Sequence, residues 1–339
     1  MEFHLEFTPK PFSAKINHSQ LLFLAGSCFT EQIGAKLAAH KFRIIDNPNG
    51  ILFNPVSISK SIISYIENKI YNEAELFYQN ELWGSWEHHT RFSSMSKEEC
   101  LQKINDSQKA AHSFLKKADW LLLTLGSAFV YETSALTSRQ IGTGPLQEER
   151  GMMVVANCHK VPTDKFTKRL LSIKEVGSNL ENLIKRLQQF NPAIKIIFTI
   201  SPVRHLRDGF VENNRSKATL INAVLQITDK YDELFYFPAY ELIIDDLRDY
   251  RFFAEDMVHP NYAATNYVWE KFIATCIDEP SQLLMKEINT INAARYHKAF
   301  NPTSVAHKKF LKINMQKIEK LQAEHPYLNF EEELLFFNS

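Results

Sequence analysis

The sequence predicts an α/β protein: a three-layer α/β/α sandwich around a mostly parallel sheet, with a helical appendage at the C-terminus. Three observations carry that expectation. Short apolar runs recur near residues 21, 42, 120, 194 and 234. Segments of helical periodicity separate most of them. After Pro280 only helical periodicity remains.

The run Leu21-Leu22-Phe23-Leu24-Ala25 enters Gly26-Ser27, and an amphipathic stretch with Ile33 and Leu37 follows. This reads as a buried strand and then a helix, with Ser27 at the strand's carboxyl end, where open α/β sheets place their chemistry. A plain helix cap is the competing reading of Ser27. Before it, Phe3, Leu5 and Phe7 alternate like an edge strand. Phe42–Ile45 reads as the second strand, closed by a turn at Asn49-Gly50, and Asn54-Pro55 opens a helix through Ile66. The stretch Leu82–Phe92 holds Trp83, Trp86, His88 and Arg91. It fits either a loop over a polar site or a hairpin with inward aromatics.

A helix is expected over 97–117, a strand at Trp120–Leu125, and hairpins or loops from Ser127 to about 155. Apolar spacing from Phe166 to Leu187 suggests one long helix. Ile194–Ile200 and Leu234–Phe237 complete the strands, with helices expected over 216–229 and 262–275. From 281 to 325 there are eight Lys or Arg against three Glu, so the appendage is expected to be basic on its exposed side. The domains are thus drawn as 1–278, with insertions at about 80–96 and 127–165, and a helical extension at 279–339.

Composition narrows the function. Lys plus Arg and Asp plus Glu both number 39, which argues against a dedicated nucleic-acid binder. No apolar run approaches a membrane span and no signal peptide is visible. The four cysteines, Cys28, Cys100, Cys158 and Cys276, are widely scattered. A cytoplasmic location is therefore expected, without cofactor, metal, nucleic acid or membrane partner, and with the oligomeric state open. The dinucleotide and P-loop fingerprints are absent. Cys28 as an alternative nucleophile and a Cys158–His159 metal site are weaker readings.

Asp256-Met257-Val258-His259-Pro260 supplies what Ser27 lacks. A serine hydroxyl needs a base, His259, and a carboxylate three residues earlier, Asp256, can orient the imidazole. Together with this block, Gly26-Ser27-Cys28-Phe29-Thr30 resembles the GSCFA family, with Thr30 in place of its alanine. Asn49–Pro55, Asn157–Lys160 and Ser201–His205 resemble that family's other blocks. The family is grouped with the SGNH (GDSL-like) esterases and acetylhydrolases. The resemblance implies Ser27 as nucleophile, His259 as base and Asp256 as its partner. It implies Gly50 as an oxyanion donor, while the glycine–asparagine block keeps Gly126 but has Ala128 where asparagine is expected. Asn157 or Asn54 is expected to fill that vacancy. His88, Arg91 and Arg204 are candidates for the substrate cleft, with Trp83, Trp86 and Arg207 near them. The expected function is a serine esterase or acetylhydrolase acting on a small or carbohydrate-linked ester. The alternatives are an acyltransferase on the same residues, or a non-catalytic carbohydrate- or partner-binding module.

Overall fold

A computed structural model of the chain describes residues 4–133, 153–156 and 161–338. Its elements run β1 (Leu21–Gly26), α1 (Cys28–Ala39), β2 (Arg43–Asp46), α2 (Pro55–Ile66), β3 (Leu76–Gln79), β4 (Leu82–Ser85), α3 (Lys97–Leu115) and β5 (Trp120–Leu125). They continue with β6 (Phe129–Thr133), β7 (Met153–Val155), β8 (Phe166–Leu170), α4 (Ile173–Phe190), β9 (Lys195–Ile200), α5 (Gly209–Thr228) and β10 (Leu234–Phe237). The last helices are α6 (Tyr262–Cys276), α7 (Glu279–Arg295), α8 (Val305–Glu324) and α9 (Glu331–Phe337).

The five expected strands form one parallel sheet in the order β2–β1–β5–β9–β10. Strand geometry explains the uninterrupted apolar runs, because successive side chains point to opposite faces and both faces are covered. On one face Phe23, Leu121, Leu123, Ile196 and Phe198 pack against α2, α3, α4 and α5. On the other, Leu22, Leu24, Trp120, Leu122 and Ile197 meet α1 and α6. This is the doubly wound three-layer arrangement that the sequence predicts. Strand order reverses between β1 and β5, which makes their carboxyl ends the topological switch point.

Gly26 ends β1 with φ +148°, and a Cβ there would lie 2.3 Å from the Thr124 carbonyl oxygen of β5. The two strands therefore approach too closely for any side chain. Gly26→Ala is expected to destabilise the protein by at least about 3 kcal/mol, read as a lower denaturation midpoint in urea. An unchanged midpoint would contradict this account of the junction.

Three expectations are corrected. The segment with Leu5 and Phe7 is not an edge strand. It runs irregularly over the surface, Leu5 is 86% exposed, and Glu6 pairs with Lys271 of α6 at 2.6 Å. The long helix from 166 is divided, because Phe166–Leu170 pairs antiparallel with β6 in a three-stranded sheet with β7. The helix begins at Ile173 instead, behind the Ser172–Glu175 capping box. Helix α5 also starts earlier than expected, at Gly209.

The hairpin β3–β4 settles the aromatic stretch in favour of inward packing: Trp86 is 3% exposed and stacks on Phe77 at 3.9 Å between ring centres. The C-terminal helices α7, α8 and α9 gather a core of their own around Ile288, Ile291, Ile318, Leu321 and Phe330. They meet the sheet domain beside α1, where the nearly buried Glu333 carboxylate takes the Lys41 ammonium at 2.8 Å. Among the described residues no helix is long and apolar enough to cross a membrane.

Candidate active site

At the switch point a cavity of about 950 Å³ opens over the carboxyl ends of the parallel strands. Four stretches supply its polar walls: Ser27 and Cys28 after β1, Ser127 after β5, Val203–Asp208 after β9, and the Asp256–His259 loop before α6. Ser27 is 2% exposed and occupies the N-cap of α1. Capping and lining the cavity are thus compatible roles for one residue. Its Oγ accepts the Phe29 N–H at 3.3 Å, a long and weak bond.

The Asp256–His259 unit is formed. Asp256 Oδ2 lies 2.7 Å from His259 Nδ1, while its Oδ1 accepts the backbone N–H groups of Val258 at 2.9 Å and His259 at 3.0 Å. The amide of His259, its ring and the Val258 amide together hold the Asp256 carboxyl down at about 2. The carboxylate is therefore ionised throughout the physiological range and fixes the imidazole with Nε2 left over for chemistry. Met257, between them, adopts a left-handed φ of 57° that folds the loop back so that both side chains face one way. The loop is tied to the one after β9 by the Arg204 N–H, which donates to the Val258 carbonyl at 3.1 Å. Among the described residues no hydrogen bond joins Ser27 Oγ to the His259 ring, although both line the cavity.

The remaining anticipated residues are distributed differently. Asn157 lies outside the described residues. Gly50 and Asn54 do not line the cavity. The Gly50 N–H donates to the Asn47 carbonyl at 2.7 Å in a turn with φ +79°, and a Cβ on Gly50 would meet that of His89 at 2.2 Å. The need for glycine there is steric. Asn54 is wholly buried as the N-cap of α2, its Oδ1 accepting the Ser57 N–H at 2.8 Å and its Nδ2 donating to Ser57 Oγ at 2.9 Å. The Ser27 N–H also has a partner, the Thr124 carbonyl at 3.2 Å. The Cys28 N–H is the first of α1 and lies beside its own thiol, which lines the cavity, so the positive end of the helix is turned to that side.

Of the cleft candidates, Arg204 lines the cavity, its guanidinium stacked over the Phe253 ring at 4.0 Å. His88 is 1% exposed among Tyr71 and Phe92 and bonded to Ser85 Oγ at 3.0 Å, which makes it a core residue of the hairpin lobe. Arg91 pairs with Glu31 on α1, away from the cavity lining.

Lys168, which the sequence did not single out, joins His205 and Cys28 in the cavity wall. Lys168 of β8 pairs with Asp208 and covers the ring of Phe129 at 4.7 Å, closing one side with Tyr131. The His205 ring stacks on Phe53 at 4.9 Å. Burial first, and then the charge of Lys217, push its imidazole down to about 3, so it is neutral. The Cys28 thiol lines the cavity, but burial pushes it up, outweighing the nearby amides. It is accordingly a poor nucleophile at neutral pH. Cys28→Ala is expected to retain at least about half of any esterase turnover, since burial keeps the thiol protonated. A loss matching that of Ser27→Ala would reverse the assignment.

Comparison with known proteins follows the same lines. The GSCFA family model matches residues 21–272, and the model of the GSCFA C-terminal domain matches residues 288–339. No curated protein matches the chain. Among solved structures, a protein from Parabacteroides merdae described as a GDSL-like lipase is 12% identical, with 79% of this chain and 98% of that one covered at a TM-score of 0.37. An acetyl-xylooligosaccharide esterase from Geobacillus is 14% identical, covering 77% and 95% at 0.36. A family 3 carbohydrate esterase from Talaromyces cellulolyticus is 10% identical, covering 80% and 99% at 0.32. Scores this low leave the functional reading to the site itself.

Proposed function

The chain belongs to the GSCFA family, and from that premise we propose that it is a serine ester hydrolase acting on a small or carbohydrate-linked ester. One observation carries the reading: Ser27 and a preformed Asp256–His259 pair line one cavity at the switch point of the sheet. Ser27 Oγ attacks the ester carbonyl carbon while its proton passes to His259 Nε2. Asp256 stabilises the imidazolium that results. The oxyanion forms beside the Cys28 N–H and the positive end of α1. The tetrahedral intermediate collapses, and the alcohol departs with the proton from His259. Water, deprotonated by the same imidazole, then releases the acid and restores Ser27.

For the first step Ser27 must rotate away from the Phe29 N–H. The 3.3 Å bond it gives up is worth no more than about 0.5–1.5 kcal/mol, so the capped rotamer is a modest barrier. The same capped rotamer favours a second reading, a non-catalytic binding module. Turnover separates the two. Steady hydrolysis of an acetyl aryl ester, with a transient acetyl group on Ser27, is expected. An absence of both turnover and acetylation would favour the binding module. The free thiols of Cys28, Cys100 and Cys276 support a cytoplasmic site of action.

A further inference from the structure

Lys217 sits on the buried face of α5, in register with Asn213, Ser216, Leu220, Val224 and Ile227. A lysine on a core-facing stripe needs a reason, because burying its charge is costly. It is 1% exposed, and among the described residues no carboxylate lies within ion-pair distance. Its Nζ donates instead to two carbonyl oxygens, Gly126 at 2.6 Å and Ser201 at 2.7 Å. These carbonyls stand where β5 and β9 give way to the loops that bring Ser127, Arg204 and His205 to the cavity. Three titratable groups face it: the Cys28 thiol of α1, the His205 imidazole, and Tyr240, whose ring centre is 5.8 Å away.

We propose that Lys217 is a positioning residue, whose ammonium braces the loops after β5 and β9 and holds the Ser27 site at a positive potential that favours the developing oxyanion. The inference rests on the serine-hydrolase reading. A fixed charge acts on a developing oxyanion without reorganisation at the moment of reaction. The geometry also lets the charge be lost without disturbing the brace. A neutral amine still has two N–H groups, one for each carbonyl. Burial, acting almost alone, lowers the group to about 7, so the field is present below that pH and fades above it.

The test measures the rate at which a small fluorophosphonate labels Ser27 in the parent protein, Lys217→Met and Lys217→Arg between about pH 6 and pH 9. Ratios at each pH cancel the contribution of His259, which all three share. The parent is expected to react about tenfold faster than Lys217→Met near pH 6, with the ratio falling severalfold by about pH 9 to the smaller value set by the lost brace alone. Lys217→Arg, permanently charged, should keep its advantage at the upper end. A parent-to-Met ratio that does not change with pH would reduce Lys217 to a structural brace and overturn the proposal.

Thermal unfolding gives an independent reading that needs no activity. Between about 7 and the ordinary 10.5 the unfolded lysine keeps a proton that the folded one has lost, so stability rises with pH through that window. The parent's Tm should therefore rise relative to that of Lys217→Met, and parallel profiles would count against a titrating amine. Failure of the phosphonate to label the parent at any pH would remove the hydrolase reading and this inference together. Labelling with a flat ratio would remove the inference alone.

Discussion

Ser27→Ala should lower ester turnover by at least about 10⁴-fold while leaving the protein folded. The large effect follows from chemistry, since among the described residues no other hydroxyl in the cavity stands at the positive end of α1, and the Asp256–His259 unit lines the same cavity. The small structural effect follows from geometry. Among the described residues Ser27 Oγ makes only the 3.3 Å capping bond to Phe29, so its loss costs about 0.5–2 kcal/mol, typical of an N-cap. Turnover and a urea unfolding curve on one preparation check both halves. A folded Ser27→Ala protein with parental turnover would eliminate Ser27 as nucleophile.

His259→Ala should be nearly as damaging, and Asp256→Asn should slow turnover by about 10²-fold or more. Asp256 does two jobs: its Oδ2 orients the ring, and its Oδ1 anchors the loop through the Val258 and His259 amides. Asparagine can keep the second and spoil the first, so the variant should fold with the loop intact. The pH dependence distinguishes the two residues. With the Asp256 carboxyl held at about 2, its ionisation contributes to stability above its ordinary 3.8 and is lost only as pH falls through 2. Any fall in kcat/KM on mild acidification is therefore not a loss of the Asp256 carboxylate. Parental turnover in a folded Asp256→Asn protein would mean that another group orients His259.

The sheet was legible because its inner strands β1, β5 and β9 bury both faces, and the resulting apolar runs survive any local ambiguity. Ser27 and the Asp256–His259 loop were legible for a related reason: a strand end and a tight Asx turn are local structures that few residues can build. The failures share the opposite character. Phe166 and Leu170 fit a helical spacing equally well, and only pairing with β6, a partner more than thirty residues earlier, makes them a strand. Gly50 was read as a donor because it follows a strand end, whereas its glycine is required by the close approach of His89. His88 looked like a ligand residue in a polar stretch, but Tyr71, distant in sequence, encloses it. Lys217 left the one usable trace that was missed, a cation on the buried stripe of an amphipathic helix.

The central claim is that Ser27 is a nucleophile activated from the Asp256–His259 loop. Its most direct test is labelling of the native protein with a serine-directed fluorophosphonate, followed by peptide mapping of the modified residue. The account predicts a single adduct on Ser27, lost in His259→Ala. An adduct on another serine or on Cys28, or labelling of Ser27 that is indifferent to His259, would contradict it.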